Sequence, residues 1–233
     1  MNIVITGATK GIGRAIAEFF AAKGFNLALC ARTSNDLEAF KSELTALYPK
    51  QTFFAHAADL ANTQEVKQFA EAVLKEFSTI EVLVNNTGVF MPGAISEEAD
   101  GNLERMIETN LYSAYHLTRA LLPTMLAHRK GHIFMMCSIA STTAYPNGGS
   151  YSISKFALLG LSKVLREELK PTGIRVTALL PGATLTASWA GTDLPASRFM
   201  QADDVAKAVW GAYELSEHTV IEEMVLRPQL GDI

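Results

Sequence analysis

The sequence predicts an α/β protein with a doubly wound parallel β-sheet that is covered by helices on both faces. Short runs rich in β-branched and apolar residues alternate with helical apolar patterns along the whole chain. The first run, Asn2–Thr6, leads into a glycine-rich turn and then a helical pattern with Ile16, Phe19 and Phe20 at core spacing. Parallel strands are joined by right-handed crossovers, and this alternation is typical of them.

Seven strands and six helices are expected. The strands are 2–6, 26–31, 52–57, 81–86, 132–138, 174–180 and 220–226. The helices cover about 12–23, 35–47, 63–77, 100–128, 152–169 and 202–215. No linker, repeat or low-complexity segment interrupts this order, so residues 1–233 are expected to form one domain.

Helix ends are marked by residues with specific backbone and capping chemistry. N-capping side chains are expected at Ser34 or Asn35, at Asn62, and at Asp100 or Asn102. The helices before Gly24 and Gly173 are expected to stop at Lys23–Gly24 and Thr172–Gly173.

Composition, charge and hydropathy argue against several classes of protein. With 233 residues and 48% hydrophobic content, the chain can bury a large core. The net charge of −4 comes from interspersed residues without a basic block, which argues against nucleic-acid binding. No apolar run reaches the length of a membrane span, so no membrane contact is expected. The five histidines lack metal-ligand spacing, so no metal site is expected.

Cysteine use and the N-terminus favour the cytoplasm. Cys30 and Cys137 both lie in apolar strand-like runs, so buried thiols are expected rather than a disulfide. The chain opens directly with a strand, which leaves no room for a signal peptide.

The turn after the first strand predicts a phosphate-binding site. It reads Gly7-Ala8-Thr9-Lys10-Gly11-Ile12-Gly13. Glycines at such a turn let the backbone approach a pyrophosphate, which the free N–H groups and dipole of the helix N-terminus stabilise. The spacing is G-x-x-x-G-x-G and not G-x-G-x-x-G, and an ordinary glycine-rich connection is the alternative.

Arg32, directly after the second strand, favours NADP(H) over NAD(H). NAD-binding proteins place a carboxylate near this point for the ribose 2′-hydroxyl. A guanidinium would instead attract a 2′-phosphate and bind it bidentately, and Lys10 adds a second positive charge. The alternative is a pair of solvated surface cations.

The next two strand ends offer further groups for the adenosine. Asp59 and Leu60 follow the third strand, and could meet the adenine amino group and ring, although Asp-Leu is also a common helix start. Asn85, Asn86 and Gly88 follow the fourth strand and suit a tight turn beside the ribose, or simply an Asn-rich turn.

Tyr151 and Lys155 have the spacing of a tuned general acid/base. A tyrosine hydroxyl ionises near pH 10, and an ammonium group at i+4 on the same helix face can favour the phenolate. With 6 tyrosines in the chain, chance supplies about 0.3 such pairs. Ser138 ends the fifth strand thirteen residues upstream and lowers that expectation to about 0.02. No histidine is placed to make Ser138 a nucleophile of hydrolase type.

Asn110 falls within the apolar stripe of the helix predicted over 100–128. A buried amide needs hydrogen bonds, so we expect it to hold a water or a backbone carbonyl. A satisfied core asparagine without catalytic duty is the alternative.

These motifs together resemble the short-chain dehydrogenase/reductase family over essentially the whole chain. The matching residues are Thr6-Gly7-x-x-x-Gly11-x-Gly13, Asn85-Asn86-x-Gly88, Asn110, Ser138, Tyr151-x-x-x-Lys155, and Pro181-Gly182 followed by Thr186. The resemblance implies a Rossmann-type sheet in the order 3-2-1-4-5-6-7. One departure is Thr87, where the family usually has alanine.

The resemblance also implies the roles of residues. Asn110, Ser138, Tyr151 and Lys155 would form the catalytic tetrad, with Lys155 also holding the nicotinamide ribose and Asn110 a water of a proton relay. Tyr151 would exchange the proton with the substrate, its pKa depressed by Lys155 together with the positive nicotinamide ring of the oxidised cofactor. The cofactor would be bound by these residues: Gly7, Thr9, Lys10, Gly11, Ile12, Gly13, Arg32, Asp59, Leu60, Asn86, Gly88, Tyr151, Lys155, Pro181, Gly182, Thr184 and Thr186.

The implied activity is NADP(H)-dependent interconversion of a carbonyl and a secondary alcohol. Tyr145 and Trp189, the latter in a short segment at 187–195, could line the substrate pocket. The substrate could be a 3-oxoacyl thioester, a hydroxy acid or another small ketone. A catalytically silent NADP(H)-binding module and a sugar-nucleotide epimerase or dehydratase are the alternatives. The family usually forms homodimers or homotetramers through the two long helices.

Overall fold

The computed structural model describes residues 1–189 and 191–233. Its centre is a seven-stranded sheet in which every neighbouring pair of strands is parallel. The strands are β1 (Asn2–Thr6), β2 (Asn26–Ala31), β3 (Phe53–Ala57), β4 (Val82–Asn85), β5 (Gly131–Met136), β6 (Ile174–Pro181) and β7 (Glu223–Leu226). Their order is β3-β2-β1-β4-β5-β6-β7, which confirms the predicted sheet.

The order of the strands reverses beside β1. This strand pairs with β2 on one side, where Thr6 lies opposite Cys30, and with β4 on the other, where Ile5 lies opposite Val84. Connections leave β1 and β4 toward opposite directions along the sheet, which opens a crevice at the carboxyl ends of the strands. The glycine-rich turn and the Asn85-Asn86-x-Gly88 turn both begin at this crevice.

Seven helices cover the two faces of the sheet in the part of the chain that the structure describes. They are α1 (Gly11–Ala22), α2 (Ser34–Leu47), α3 (Thr63–Glu76), α4 (Asn102–Ile107), α5 (Ser113–His128), α6 (Gly149–Leu169) and α7 (Ala202–Glu214). Buried side chains of α1, α2 and α7 form one core layer, and those of α3, α5 and α6 form the other. Apolar strands buried on both sides join the two layers.

The helix predicted over 100–128 is not continuous. Residues Glu108–Tyr112 form a π-helical turn between α4 and α5. The apolar stripe continues through this turn, which is why helical periodicity alone did not reveal it. Such turns are rare and insert one extra residue, which redirects the side chains that follow.

Two of the three predicted N-caps are wrong. The helix α2 is preceded by Thr33 without a side-chain cap bond, and Ser34 is already its first residue. The helix α4 begins after Gly101, whose φ of 89° provides the turn that an Asp100 or Asn102 side chain was expected to cap. Asn62 does cap α3, because its side chain accepts a hydrogen bond from the Gln64 N–H at 2.9 Å.

The predicted helix stops lie where expected, with Gly24 at φ 87° and Gly173 at φ 84°. Cys30 and Cys137 are buried free thiols, as predicted, and burial raises the pKa of Cys30 to about 12 and that of Cys137 to about 11. None of the helices in the described ranges is long and apolar enough to cross a membrane.

Candidate active site

The glycine-rich turn is held against the end of β4 by Asn86. The Asn86 side-chain amide donates to the carbonyls of Thr6 at 2.9 Å and Gly7 at 3.2 Å. Gly7 and Gly11 have φ of 64° and 54°, which side-chain-bearing residues rarely adopt. A Cβ at Gly13 would lie 2.5 Å from the Asn86 amide nitrogen and would overlap the Gly7 carbonyl. These glycines therefore let α1 begin directly at the end of β1.

A cleft of about 670 Å³ runs along the carboxyl ends of the strands. Every residue that the sequence predicted for cofactor, substrate or catalysis lines this cleft, except Gly13 and Asn110. Those two lie behind its wall, Gly13 in the packing of α1 on β1 and Asn110 fully buried. The residue at position 190, inside the predicted substrate segment, lies outside the described residues.

Tyr151 and Lys155 stand one turn apart on α6, beside the end of β5. The Tyr151 hydroxyl is hydrogen-bonded to Ser138, which follows β5. The Lys155 ammonium donates to the carbonyl of Met136 at 2.7 Å and lies 5.8 Å from the centre of the Tyr151 ring. Only 4% of Lys155 is exposed. Ser138, Tyr151 and Lys155 of the predicted tetrad therefore lie together in the cleft wall, whereas Asn110 lies behind it.

Burial sets the direction of the pKa shifts of Tyr151 and Lys155. It raises the pKa of Tyr151 above its ordinary value, and this effect is larger than that of the hydrogen bond from Ser138, which lowers the pKa. Burial also lowers the pKa of Lys155 to about 8. The pKa of Tyr151 is raised because desolvation of the phenolate is the largest effect, and its depression by Lys155 together with an oxidised nicotinamide stays a prediction. At neutral pH, Tyr151 is a neutral hydroxyl that can donate a proton.

Asn110 lies in the π-helical turn and binds backbone. Its side-chain oxygen accepts from the Val89 N–H at 2.7 Å, and its amide donates to the Val89 carbonyl at 3.0 Å and to the Ser154 hydroxyl at 2.9 Å. Of the two partners expected for it, the structure shows the backbone carbonyl. A Cβ at Gly88 would lie 3.3 Å from the Asn110 side-chain oxygen and 3.4 Å from the Lys155 nitrogen. The glycine of the Asn-Asn-x-Gly motif therefore keeps space between these two polar groups.

The far end of the cleft carries exposed charges. Arg32 follows β2 and is exposed. Lys10 is 71% exposed and forms an ion pair of 3.1 Å with Asp36, in the first turn of α2. Asp36 also lines the cleft, and sequence reasoning missed it because a carboxylate in the first helical turn is an ordinary feature.

The predicted adenine contacts differ in their surroundings. Asp59 is exposed, and its carboxylate accepts a hydrogen bond from the Ala61 N–H at 3.1 Å. Leu60 is only 3% exposed, so most of its side chain belongs to the hydrophobic core.

The segment after β6 is fixed to the turn of α1 and to β7. The Gly182 N–H donates to the Leu226 carbonyl at 2.8 Å, and the Thr184 hydroxyl donates to the Gly182 carbonyl at 3.1 Å. A Cβ at Gly11 would lie 3.0 Å from the Thr186 methyl group. Residues 181–186 and the glycine-rich turn therefore face each other across the cleft.

Aromatic side chains stand near Tyr151. The Phe90 ring meets the Tyr151 ring edge-on, with centres 4.8 Å apart. Tyr145 lines the same wall, and its pKa is raised to about 12, first by burial and then by Tyr151. Trp189 lines the cleft and also packs on Phe199 at 5.1 Å, so it serves both as pocket wall and as packing anchor.

Phe90, Asp232 and Ile233 line the cleft but were not predicted. Phe90 follows the Asn-Asn-x-Gly motif by two residues, a position that could have indicated it. The two residues of the C-terminal segment carry no local signal; the Asp232 carboxylate forms an ion pair with Arg227.

Comparisons with known proteins agree with this architecture. The family model for short chain dehydrogenase matches residues 1–194. A sepiapterin reductase from Chlorobaculum tepidum is 35% identical over 99% of this chain and 97% of its own length. Among solved structures, an alcohol dehydrogenase from Thermococcus sibiricus complexed with 5-hydroxy-NADP has a TM-score of 0.91 and 30% identity, covering 98% of this chain and 96% of that one.

A further structural relative is the L-sorbose reductase of Gluconobacter frateurii, complexed with NADPH and L-sorbose. It has a TM-score of 0.89 and 29% identity, and the match covers 97% of this chain and 94% of that one. The chain belongs to the short-chain dehydrogenase/reductase family of oxidoreductases.

Proposed function

We propose that the protein transfers a hydride reversibly between NADP(H) and a carbonyl or secondary alcohol, with Tyr151 as the general acid/base. The observation that carries this proposal is the Tyr151 hydroxyl in the cleft wall, partly buried, hydrogen-bonded to Ser138 and one helical turn from Lys155. The same cleft begins at a glycine turn suited to a pyrophosphate, so a dinucleotide and the acid would share one space.

The residues of the cleft fit a dinucleotide. Gly7, Thr9, Lys10, Gly11 and Ile12 would hold the pyrophosphate, with Gly13 keeping α1 close to β1. When bound, NADPH supplies the hydride.

Other residues would hold the rest of the cofactor. Asp59 and Leu60 would border the adenine, Asn86 and Gly88 the adenosine ribose, and Pro181, Gly182, Thr184 and Thr186 the nicotinamide carboxamide. Asn86 would act through the turn that it fixes, because its amide is already bonded to the carbonyls of Thr6 and Gly7.

In the direction of reduction, Tyr151 would donate its proton to the developing alkoxide, and Ser138 would hydrogen-bond the same oxygen. Tyr151 is a neutral hydroxyl at neutral pH and can donate its proton, and the positive charge of Lys155 would make the loss of that proton less costly. Lys155 would hold the nicotinamide ribose and supply positive charge beside Tyr151.

Asn110 would support this site through Val89. Both hydrogens of its amide are bonded, to Val89 and to Ser154, so the amide nitrogen does not donate to a relay water. Its role in this proposal is to position the chain after β4.

NADP(H) is favoured over NAD(H) by the charges after β2. Arg32 is exposed at the cleft and could bind a 2′-phosphate bidentately, with Lys10 nearby. The relatives complexed with NADP or NADPH support the same preference.

For the substrate, the cleft favours a small uncharged ketone over a hydroxy acid. Among the described residues that line the cleft, the basic ones are Lys10, Arg32 and Lys155. The first two lie at the phosphate end, and Lys155 is bonded to a carbonyl, which leaves no cation for a substrate carboxylate. Phe90 and Tyr145 instead offer aromatic surface beside Tyr151. A 3-oxoacyl thioester has an uncharged reacting part and is the second candidate.

A matched pair of ketones tests this choice. Methyl benzoylformate and benzoylformate share their ring and reacting carbonyl and differ by the charge of the carboxylate. We expect kcat/KM to be at least tenfold higher for the ester. Equal values would remove the argument from charge.

The helices and the thiols support a proposal for assembly and for location. The described side chains of α6 leave Ile153, Phe156 and Val164 more than 40% exposed, and a second copy would cover them in a homodimer or homotetramer. Two free cysteines and no disulfide among the described residues favour the cytoplasm.

The deciding experiment is Tyr151→Phe with NADPH and a panel of ketones. We expect NADPH to bind as in the wild type while kcat falls by about 10²–10⁴-fold, the usual contribution of a general acid. Turnover within threefold of the wild type would eliminate Tyr151 as the acid.

The wild-type assay separates the alternatives. A silent NADP(H)-binding module would bind NADPH and oxidise none of it. An epimerase or dehydratase of sugar nucleotides would convert its substrate without net consumption of NADPH.

A further inference from the structure

The helix that carries Tyr151 begins without a cap of its own. Gly148 precedes α6 and makes no side-chain cap bond, and no acidic residue lies in the first turn. Tyr151 is the third residue of this helix, so the order of the first turn decides where its hydroxyl stands. The missing cap is supplied from about 50 residues earlier in the chain.

Glu98 provides that cap. One oxygen of its carboxylate accepts a hydrogen bond from the Ser150 N–H at 2.9 Å, and the other accepts from the Ser150 hydroxyl. A carboxylate at a helix N-terminus is stabilised by the free N–H groups and the helix dipole. Ser150 directly precedes Tyr151, so Glu98 restrains the backbone next to the proposed acid.

Two glycines make room for this contact. A Cβ at Gly93 would lie 2.8 Å from the Glu98 Cγ atom. A Cβ at Gly149 would overlap the Glu98 carboxylate and would lie 2.5 Å from the Gly93 carbonyl. The Gly93 N–H also donates to the Asn147 carbonyl at 3.0 Å. The segment around Glu98 is therefore packed closely against the start of α6.

The same segment reaches Tyr151 from a second side. Between Gly88 and Glu98, Val89 is held by Asn110 and the Phe90 ring meets the Tyr151 ring. The chain after β4 thus touches Tyr151 by a ring contact and its neighbour Ser150 by two hydrogen bonds. A shift of this segment would move the wall of the site and the acid together.

We infer that Glu98 is a positioning residue for Tyr151. It holds the first turn of α6 and residues 89–98 in the positions that proton transfer from Tyr151 requires. The inference rests on the proposed role of Tyr151 as the acid. Displacement of a reacting group by about 1 Å can slow catalysis by about 10²-fold, so the loss of this restraint should be measurable.

The first test compares Glu98→Ala with Glu97→Ala, in steady-state reduction of methyl benzoylformate by NADPH. Glu97 is exposed and adjacent, and serves as the matched control. We expect Glu98→Ala to lower kcat, calculated per NADPH-binding site, by about 10- to 100-fold. The KM for NADPH should stay within twofold of the wild-type value. The solvent deuterium isotope effect on kcat should rise, since proton transfer becomes slower. Glu97→Ala should leave all three quantities within twofold of the wild type.

Conservative and partial changes refine the test. Glu98→Gln can still accept from the Ser150 N–H, so we expect it to recover kcat to within about threefold of the wild type. Ser150→Ala removes one of the two bonds and should lower kcat by about three- to tenfold. If Glu98→Ala does not fold, Ser150→Ala decides, and a kcat within twofold of the wild type overturns the inference.

A double-mutant cycle separates this inference from the proposed function. If Glu98 acts through Tyr151, adding Glu98→Ala to Tyr151→Phe should change the residual kcat by less than twofold. An unchanged kcat in Glu98→Ala, or the same loss with and without the Tyr151 hydroxyl, would overturn the positioning role alone. Full turnover in Tyr151→Phe would instead overturn the proposed function.

Discussion

The two ends of the cleft hold their lysines in opposite surroundings. Lys10, at the phosphate end, is 71% exposed and paired with Asp36, whereas Lys155, beside Tyr151, is 4% exposed and bonded to a backbone carbonyl. Water screens the charge of the first and hardly reaches the second. Changes at the phosphate end should therefore affect mainly cofactor affinity, and changes at the catalytic end should affect mainly turnover.

Lys10 and Lys155 also differ in their effect on the stability of the folded protein. Burial lowers the pKa of Lys155 from 10.5 to about 8, so its ammonium group is less stable in the folded protein than in water. The exposed pair of Lys10 and Asp36 imposes no such penalty, and gives little stabilisation in return. The buried ammonium group thus lies at the end of the cleft where we propose that the chemistry takes place.

The largest effect is expected from Lys155→Met. It should lower kcat/KM by about 10³-fold, because it removes the charge beside the proposed acid and the proposed contact to the nicotinamide ribose. At pH 7 the variant should nonetheless be more stable than the wild type, by at most about 3 kcal/mol. Urea unfolding at pH 7 and steady-state kinetics measure the two effects.

The sign of the stability change depends on pH. The pKa of Lys155 is lower in the folded than in the unfolded state, so between about 8 and 10.5 the unfolded state binds more protons and wild-type stability rises with pH. The advantage of Lys155→Met should shrink across that interval. A variant less stable than the wild type at pH 7 would contradict the comparison of the two ends.

Arg32→Ala should show the contrasting behaviour of the exposed end. We expect kcat/KM for NADPH to fall by about 10- to 100-fold while kcat/KM for NADH stays within twofold, because the proposed bidentate contact to the 2′-phosphate is lost. Arg105→Ala removes an equally exposed guanidinium on α4 and is the control for net charge. An equal decrease of kcat/KM for NADPH and NADH would show that Arg32 does not bind the 2′-phosphate.

The pH profile sharpens the catalytic side of the comparison. In kcat/KM for NADPH, which reports groups of the free enzyme, activity should fall with an apparent pKa of about 8 as Lys155 loses its proton. The decrease between pH 7 and 9 should be about tenfold. Tyr151 stays protonated over this range because burial raises its pKa. A flat profile up to pH 9 would contradict this assignment.

The smallest effect is expected from Asp36→Asn, which releases Lys10 from its ion pair. Exposed pairs contribute about 0.2–1 kcal/mol, so KM for NADPH should fall by about two- to fivefold, with kcat unchanged. The decrease should vanish at 0.5 M salt, since the charges are exposed. Glu38→Gln, another exposed carboxylate on α2, is the matched control, and the same decrease in that variant would show a general effect of charge.

Features encoded within a few residues could be predicted well. The parallel sheet followed from strands and helices that alternate in a regular order, and its strand order from the resemblance to a family. The glycine turn and the Tyr151-x-x-x-Lys155 pair were visible because each lies within one turn of chain. Features that depend on distant partners were missed, such as the π-helical turn at Asn110, which continues the apolar stripe without a break.

The helix caps show the same division. Asn62 caps α3 through its own neighbour Gln64, and was predicted. The cap of α6 is Glu98, which no local pattern connects with Ser150. For α4, the left-handed backbone of Gly101 replaced the side-chain cap that its neighbours suggested.

The amino-acid sequence alone indicated the class of fold, the glycine turn, and which side chains could exchange a proton. These properties depend on residue type and local spacing, which are the same in the unfolded and the folded chain. The pKa shifts of those side chains came from the tertiary structure, because a pKa depends on how far water is excluded from Tyr151 and Lys155. The tertiary structure also decided that Lys10 would meet Asp36 and that Glu98 would hold the helix of Tyr151, since both contacts join segments separated along the chain.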